Sequence, residues 1–329
     1  MNAQIKELQP AERFLAMIRG NRLPLMVAPM FLVSGPDLAI AAEKSGVIGS
    51  FPAPNARDVP ALRQWMVRIR DEIAAGSWAL NMIVHRSYER FDQELALVEE
   101  FRPPIVATAL GSPRRVMDAV HGYGGIVMAD VTTPTLARKA VDAGVDVLVL
   151  VTHGAGGHTG TCHPFALLHE VRQFWPGPLG LAGAISCGRD IRAAQVLGAD
   201  FAVMGTRFIA TVESLAGEGY RDMLVASGIE DLVASAEISG VMANWLKGSI
   251  QKNGEAAPAA SKKTEIDFSG NISVAPKAWK DVWSAGHGVG GITRVQSVME
   301  VVDQLQEQYL ACLADEASFL KAMTSQGAG

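Results

Sequence analysis

The chain has 329 residues, 49% of them hydrophobic and 19% charged, which is enough apolar material for a large core and excludes wholesale disorder or a collagen-like repeat. Its 29 Lys plus Arg against 34 Asp plus Glu leave a formal charge of -5, so there is no basic field to meet a nucleic-acid backbone. Three widely spaced cysteines, Cys162, Cys187 and Cys312, form neither a disulfide framework nor a metal knuckle and fit a reducing cytoplasm.

In chain order, the opening MNAQIKELQPAERFLAMIRG is mixed in polarity and lacks the apolar core of a signal peptide. No later stretch of about 18 residues escapes charged or polar interruption, so no membrane span is expected. Short apolar runs then alternate with longer amphipathic ones. Strands are expected at Leu23 to Met30, Gly46 to Phe51, Trp78 to Val84, Pro104 to Ala109, Gly125 to Ala129, Val145 to Val151, Leu179 to Ile185 and Phe201 to Met204. Several are continuously apolar, as strands covered on both faces are. Helical patterns such as DLAIAAEKSG, SYERFDQELALVEEF, TPTLARKAVDAG and GRDIRAAQVLGAD lie between them, many closing on glycine. Eight strands alternating with helices are the count of a closed (β/α)8 TIM barrel within an α/β class. An open doubly wound sheet is the alternative, and the lack of GxGxxG after the first strand counts against it.

After Thr211 the pattern changes. Ser214 to Lys247 is expected to be helical, and the tract from about Gly254 to Ser269 reads as a surface loop. A last helix is expected from Thr293 to about Leu320. The reading is of a single domain over 1–329, with a helical and loop excursion at approximately 212–292 and a closing helix at 293–320, the C-terminal helical extension.

Barrel chemistry sits where strands end. The strongest local feature is THGAGGHTG after the sixth strand, where Gly156 and Gly157 let backbone approach a ligand and His153 and His158 can move a proton near neutral pH. A zinc site of His153, His158 and His163 has poor spacing, and no metal is expected. Gly183 and Ala184 with Gly205 and Thr206 leave amide groups to cradle a phosphate, of either a mononucleotide cofactor or a phosphorylated substrate. Arg207 follows directly and is assigned equally to that phosphate or to a core carboxylate. Trp279 and Trp283 are candidates to wall the pocket. Cys162 and Cys187 read as apolar fillers rather than nucleophiles.

The segments LPLMVAPM, AGGHTG, LGADFAVMGTRF and DVWSAGHGVGG together resemble the nitronate monooxygenase (2-nitropropane dioxygenase) family, related to flavin-dependent enoyl-acyl-carrier-protein reductases and NADH:quinone reductases. The resemblance covers nearly the whole chain. It implies an FMN-binding barrel, with the flavin ring across Ala28, Pro29 and Met30 and with Asn81 hydrogen-bonding the ring or ribityl region. It also implies a phosphate held at Gly183, Ala184, Gly205 and Thr206. His158 matches the family's histidine beside the flavin, and Ser284, Ala285 and Gly286 match a late segment that folds back to the cofactor. The implied reaction is oxidation of alkyl nitronates, or nitroalkanes, by dioxygen to a carbonyl compound and nitrite. Its alternative is NAD(P)H-dependent flavin reduction of a quinone or an enoyl thioester, and a third reading is a non-catalytic metabolite-binding barrel.

The chain departs from the family pattern in three places. Asp130 stands after the fifth strand, where many relatives carry a basic residue, and would repel a reduced, anionic ring unless it points away or is neutralised. Ala184 stands where paired glycines are common, and its methyl fits if the backbone there is ordinary. His153 and His287 are extra histidines beside His158.

Overall fold

A computed structural model describes residues 8–73, 76–252 and 281–326. The insertion around Gly254 to Ser269 and Trp279 lie outside the described residues. Strands β1 (Leu25–Val27), β2 (Gly49–Pro52), β3 (Trp78–Ile83), β4 (Ile105–Ala109), β5 (Ile126–Val131) and β6 (Val147–Val151) all fall on or beside the runs expected from sequence. After a two-residue strand, β7 (Gly157–His158), come β8 (Leu179–Ala182) and β9 (Phe201–Met204). Helices α1 (Pro10–Gly20), α2 (Pro36–Lys44), α3 (Val59–Glu72), α4 (Phe91–Phe101), α5 (Arg114–Gly122), α6 (Pro134–Ala143), α7 (Pro164–Arg172) and α8 (Gly188–Leu197) lie between and before them. Thr133 accepts the Leu136 amide at 3.2 Å, so the threonine ahead of Pro134 does cap α6.

The eight main strands are parallel in the order β1-β9-β8-β6-β5-β4-β3-β2. The Val27 amide donates to the Ile48 carbonyl at 2.8 Å and the Ile48 amide to Leu25 at 3.1 Å, which joins the first strand to the second and closes the barrel. Alternate residues divide between two apolar layers. Leu80, Val106, Val127, Leu148 and Leu181 face the helices, while Met26, Ala79, Ile105, Met128, Val149 and Phe201 fill the interior. The bottom is plugged by Phe14 and Ile18 of α1, with Phe14 edge-on to Phe201 at 5.0 Å. Phe14→Ala should therefore cost about 3–5 kcal/mol in urea unfolding, and a loss below ~1 kcal/mol would show that the plug is dispensable.

Beyond β9 the structure corrects the expected helix over Ser214 to Lys247. α10 (Glu218–Val225), which follows the short α9 (Thr206–Ile209), and a single 3-10 turn at Ile229–Asp231 are helical before a hairpin of β10 (Leu232–Ser235) and β11 (Ala243–Leu246). The hairpin takes β7 as its third strand, and α11 (Lys247–Lys252) follows. Four-residue strands are too short to impose a period of two on a sequence window. What makes β11 a strand is its burial on all four residues, with Trp245 packed against Val282.

The closing helix, α12 (Val298–Gln326), starts later than expected and runs further. Gln296 is held extended against Thr211, its carbonyl accepting the Val212 amide at 3.0 Å. Ser297 and Glu300 then exchange hydrogen bonds with each other's backbone amides, a capping box that sets the start. Among the described residues no helix is long and apolar enough to cross a membrane.

Candidate active site

A cavity of about 560 Å³ opens at the C-terminal ends of the barrel strands. It is lined by Ala28, Pro29, Met30, Asn81, Asp130, Gly156, Gly157, His158, Gly183, Ala184, Gly205, Thr206, Ser284 and Gly286. These come from seven separate stretches of sequence, and every one was singled out as a candidate from sequence. The rest of the wall is mainly apolar, including Phe31, Pro52, Ile83, Val151, Ile185, Ile209 and Val241.

The loop after β6 is held at several points. Thr152 and Thr159 donate through their hydroxyls to the carbonyls of Ala182 and Thr152, each at 2.8 Å. Asn244, almost fully buried, donates to the carbonyls of His153 and Ala155 at 2.9 and 2.7 Å. β7 pairs with β11, setting His158 opposite Ala243 and Gly157 opposite Asn244. His158 is thus presented to the cavity from a sheet rather than a free loop, and the protein packed around the imidazole lowers its pKa.

His153 does not share this position. Its ring lies 5.8 Å from that of His163 and 5.4 Å from that of His287, outside the cavity lining. The structure therefore separates His153 and His158, which sequence had grouped as catalytic candidates. Among the described residues no group of three His, Cys, Asp or Glu is placed to hold a metal.

The glycine-rich corner is tightly packed. A Cβ on Gly156 would lie 2.7 Å from the Gly286 amide nitrogen, and one on Gly286 would lie 2.7 Å from the Gly154 carbonyl. Those contacts bring the late Ser284 to Gly286 segment against the β6 loop, and Thr206 accepts the Gly286 amide at 2.8 Å. Gly183 has φ +122°, and a Cβ there would meet Thr152 Oγ1 at 2.3 Å.

The condition set for Ala184 is not met. Its φ is +58°, a left-handed conformation that a Cβ makes unfavourable. Its methyl has room because residue 154 is glycine; a Cβ on Gly154 would come within 2.9 Å of it. The Ala184 amide donates to Gly154 at 3.1 Å and is committed to the fold. At the other side of the cradle, the amides of Thr206 and Arg207 open α9, where no preceding turn supplies an acceptor. The Arg207 side chain serves neither role foreseen for it. It is buried, bonds Gln296 and Gln304, and does not line the cavity.

Asn81 and Asp130 continue the inward phase of β3 and β5, after Ala79 and after Ile126 and Met128. Asn81 donates only a long 3.5 Å bond to Ala107, leaving its amide available to the cavity. Asp130 points in, so the first escape from repulsion fails. The second is met only in part: desolvation raises its pKa to about 7, with no charged neighbour contributing, so near neutrality the group is divided between acid and carboxylate.

Sequence reading missed the residues that assemble the site from a distance. Asn244 and the cavity-lining Ser239 and Val241 lie in the unexpected hairpin. Tyr220, on α10, lines the cavity and donates to the Ser284 carbonyl, while burial pushes its pKa up to about 12. Trp283 stacks on Tyr220 at 5.1 Å instead of walling the cavity. A lone Asn or Tyr carries no motif, so only the fold reveals these roles. Cys187 lies outside the lining, with its thiol pKa raised mainly by burial.

A family model described as nitronate monooxygenase matches residues 55–308. A nitronate monooxygenase of Paraburkholderia phytofirmans is 27% identical, the match covering 91% of this chain and 96% of that one. The solved nitroalkane oxidase from Streptomyces ansochromogenes superposes with a TM-score of 0.77 at 24% identity, over 91% of this chain and 99% of its own. FabK from Thermotoga maritima also reaches 0.77, at 22% identity, over 93% and 98% of the two chains. These structural likenesses show the shared barrel fold. With most of its length matched by the family model, the chain belongs to the nitronate monooxygenase family and is a flavin-dependent oxidoreductase.

Proposed function

We propose that the cavity binds FMN and that the enzyme oxidises alkyl nitronates, and nitroalkanes after loss of a proton, using dioxygen and yielding a carbonyl compound and nitrite. The observation that carries this reading is the placement of His158 in one cavity with the Gly183 and Gly205 cradle and an apolar floor. The residues fit the cofactor. The close contacts at Gly156 and Gly183 allow the walls no further side-chain atoms, and the first-turn amides of α9 suit a phosphate. Asn81 supplies a buried amide to a polar ring edge or ribityl hydroxyl, and Pro29 and Met30 supply apolar surface.

Bound FMN supplies the electron transfer that connects the organic substrate to dioxygen. His158, held neutral by its surroundings, accepts the α-proton of a neutral nitroalkane. For a nitronate already formed, its ring N–H donates a hydrogen bond to the nitro oxygens. Tyr220 fixes Ser284 at the cavity edge. The described part of the excursion, through Ser239 and Val241, is read as a wall of the same barrel domain.

An anaerobic visible-absorbance titration tests this. The flavin spectrum is expected to change on adding propyl-2-nitronate and to hold steady with NADH or NADPH. Rapid bleaching by the nicotinamides alone would replace this reading with NAD(P)H-dependent reduction of a quinone or an enoyl thioester. Failure to reconstitute with FMN would remove the cofactor assignment.

A further inference from the structure

Asp130 is the single ionisable residue in the eight barrel strands, whose other segments read LMV, GSFP, WALNMI, IVATA, VLVLV, LGLA and FAVM around IVMADV. It faces the cavity beside Ala109 and Val149 of the flanking strands, and no hydrogen-bond donor to its carboxyl is found among the described residues. The cavity lining contains no Lys or Arg among the described residues. The nearby Arg207 is turned to two glutamines outside it. The other titratable groups on the lining are His158, from β7, and Tyr220, from α10, both held towards neutrality by the protein packed around them. The charged residues of α5 (Arg114, Arg115, Asp118) and of α6 (Arg138, Lys139, Asp142), with His121, belong to helices on the opposite face of β5, and none contributes to the state of Asp130.

A flavin that accepts two electrons and one proton becomes an anion. In a low-dielectric cavity without a fixed cation, that charge needs another counterpart. We propose that Asp130 is the redox-linked proton site of this enzyme: its carboxylate binds one proton from solvent when the bound flavin is reduced, and releases it on reoxidation. The proposal rests on the FMN reading above. In the test, two electrons from dithionite and one proton go to the flavin, and one further proton goes to the Asp130 carboxylate. Asp130 is then a positioning residue for charge rather than a participant in bond making.

The sign follows from linkage. A neighbouring anion raises a carboxyl pKa further, so the extra proton is taken up between the values of the oxidised and the reduced protein. That window begins at or above neutrality, because burial alone already brings Asp130 there.

The test is the potential of the bound flavin, measured by dithionite titration against reference dyes from about pH 7 to about pH 9.5. The wild-type protein is expected to take up two protons per two electrons across part of this range, and Asp130→Asn one throughout. A redox-difference infrared spectrum of the wild type should show a carboxylic-acid carbonyl band appearing on reduction. Bound flavin with one proton per two electrons in the wild type at every pH, and no such band, would overturn the proposal while leaving the cavity reading intact. A chain that binds no flavin would sink both. If the Asn variant does not fold, the wild-type slope and infrared band still decide.

Discussion

Replacing His158 with Asn is expected to leave flavin bound and to lower turnover of neutral nitroalkanes by roughly 10²–10⁴-fold, the range that a positioned general base contributes. Asn keeps a hydrogen-bond donor of similar reach but has no basic nitrogen. Turnover of preformed nitronates should therefore fall less than that of nitroalkanes, because no proton remains to be removed. The fold should be spared. The position is held by backbone pairing with Ala243, and the loop's other ties come from Thr152, Thr159 and Asn244. The pH profile adds an independent check. Desolvation by the surrounding protein lowers the His158 pKa, so the imidazole stays basic to lower pH than an ordinary histidine. The acid limb of kcat/KM for nitroalkanes should therefore lie below the usual histidine range in the wild type and vanish in the variant. Near-normal kinetics with both substrate forms would remove His158 from the chemistry.

The second large effect is expected where two neighbours respond in opposite directions. Gly183→Val should abolish measurable FMN binding, read by fluorescence of the released flavin. At φ +122° a side chain is strained by about 1–3 kcal/mol whatever the space around it. The added Cβ would also meet Thr152 Oγ1 at 2.3 Å and break into the bond that Thr152 makes to Ala182. Because Thr152 also accepts from Thr159, the displacement would pass along the loop towards His158. Ala184→Gly should do the reverse, stabilising the protein by about 1 kcal/mol because glycine takes φ +58° without the cost a Cβ carries there. Its amide bond to Gly154 involves only backbone and is retained. Destabilisation by Ala184→Gly would mean that the methyl packed over Gly154 is worth more than the strain.

The barrel was legible in the sequence because strands buried on both faces are continuously apolar, and a run such as VLVLV has few other homes. The same continuity hid the direction of each side chain. In IVMADV nothing local says whether Asp130 faces helices or cavity; the interior packing of Ile126 and Met128 decides it by alternation.

The glycine and histidine residues of the site stood out because each occupies the end of such a strand. His153 and His158 were equivalent in sequence, both in one glycine-rich loop. They parted only when β11 paired with β7 and turned one histidine to the cavity and the other to His163 and His287. Likewise, no local pattern marks ANWL as a strand or Asn244 as the clamp on the loop carbonyls. Sequence by itself thus determined the barrel, the family and the candidate residues, since these depend on local composition and strand-end position. Side-chain direction, the backbone strain at Ala184, the fate of Arg207 and the raised pKa of Asp130 were decided by tertiary structure. Each depends on which distant atoms become neighbours, and above all on how much water remains around a buried polar group.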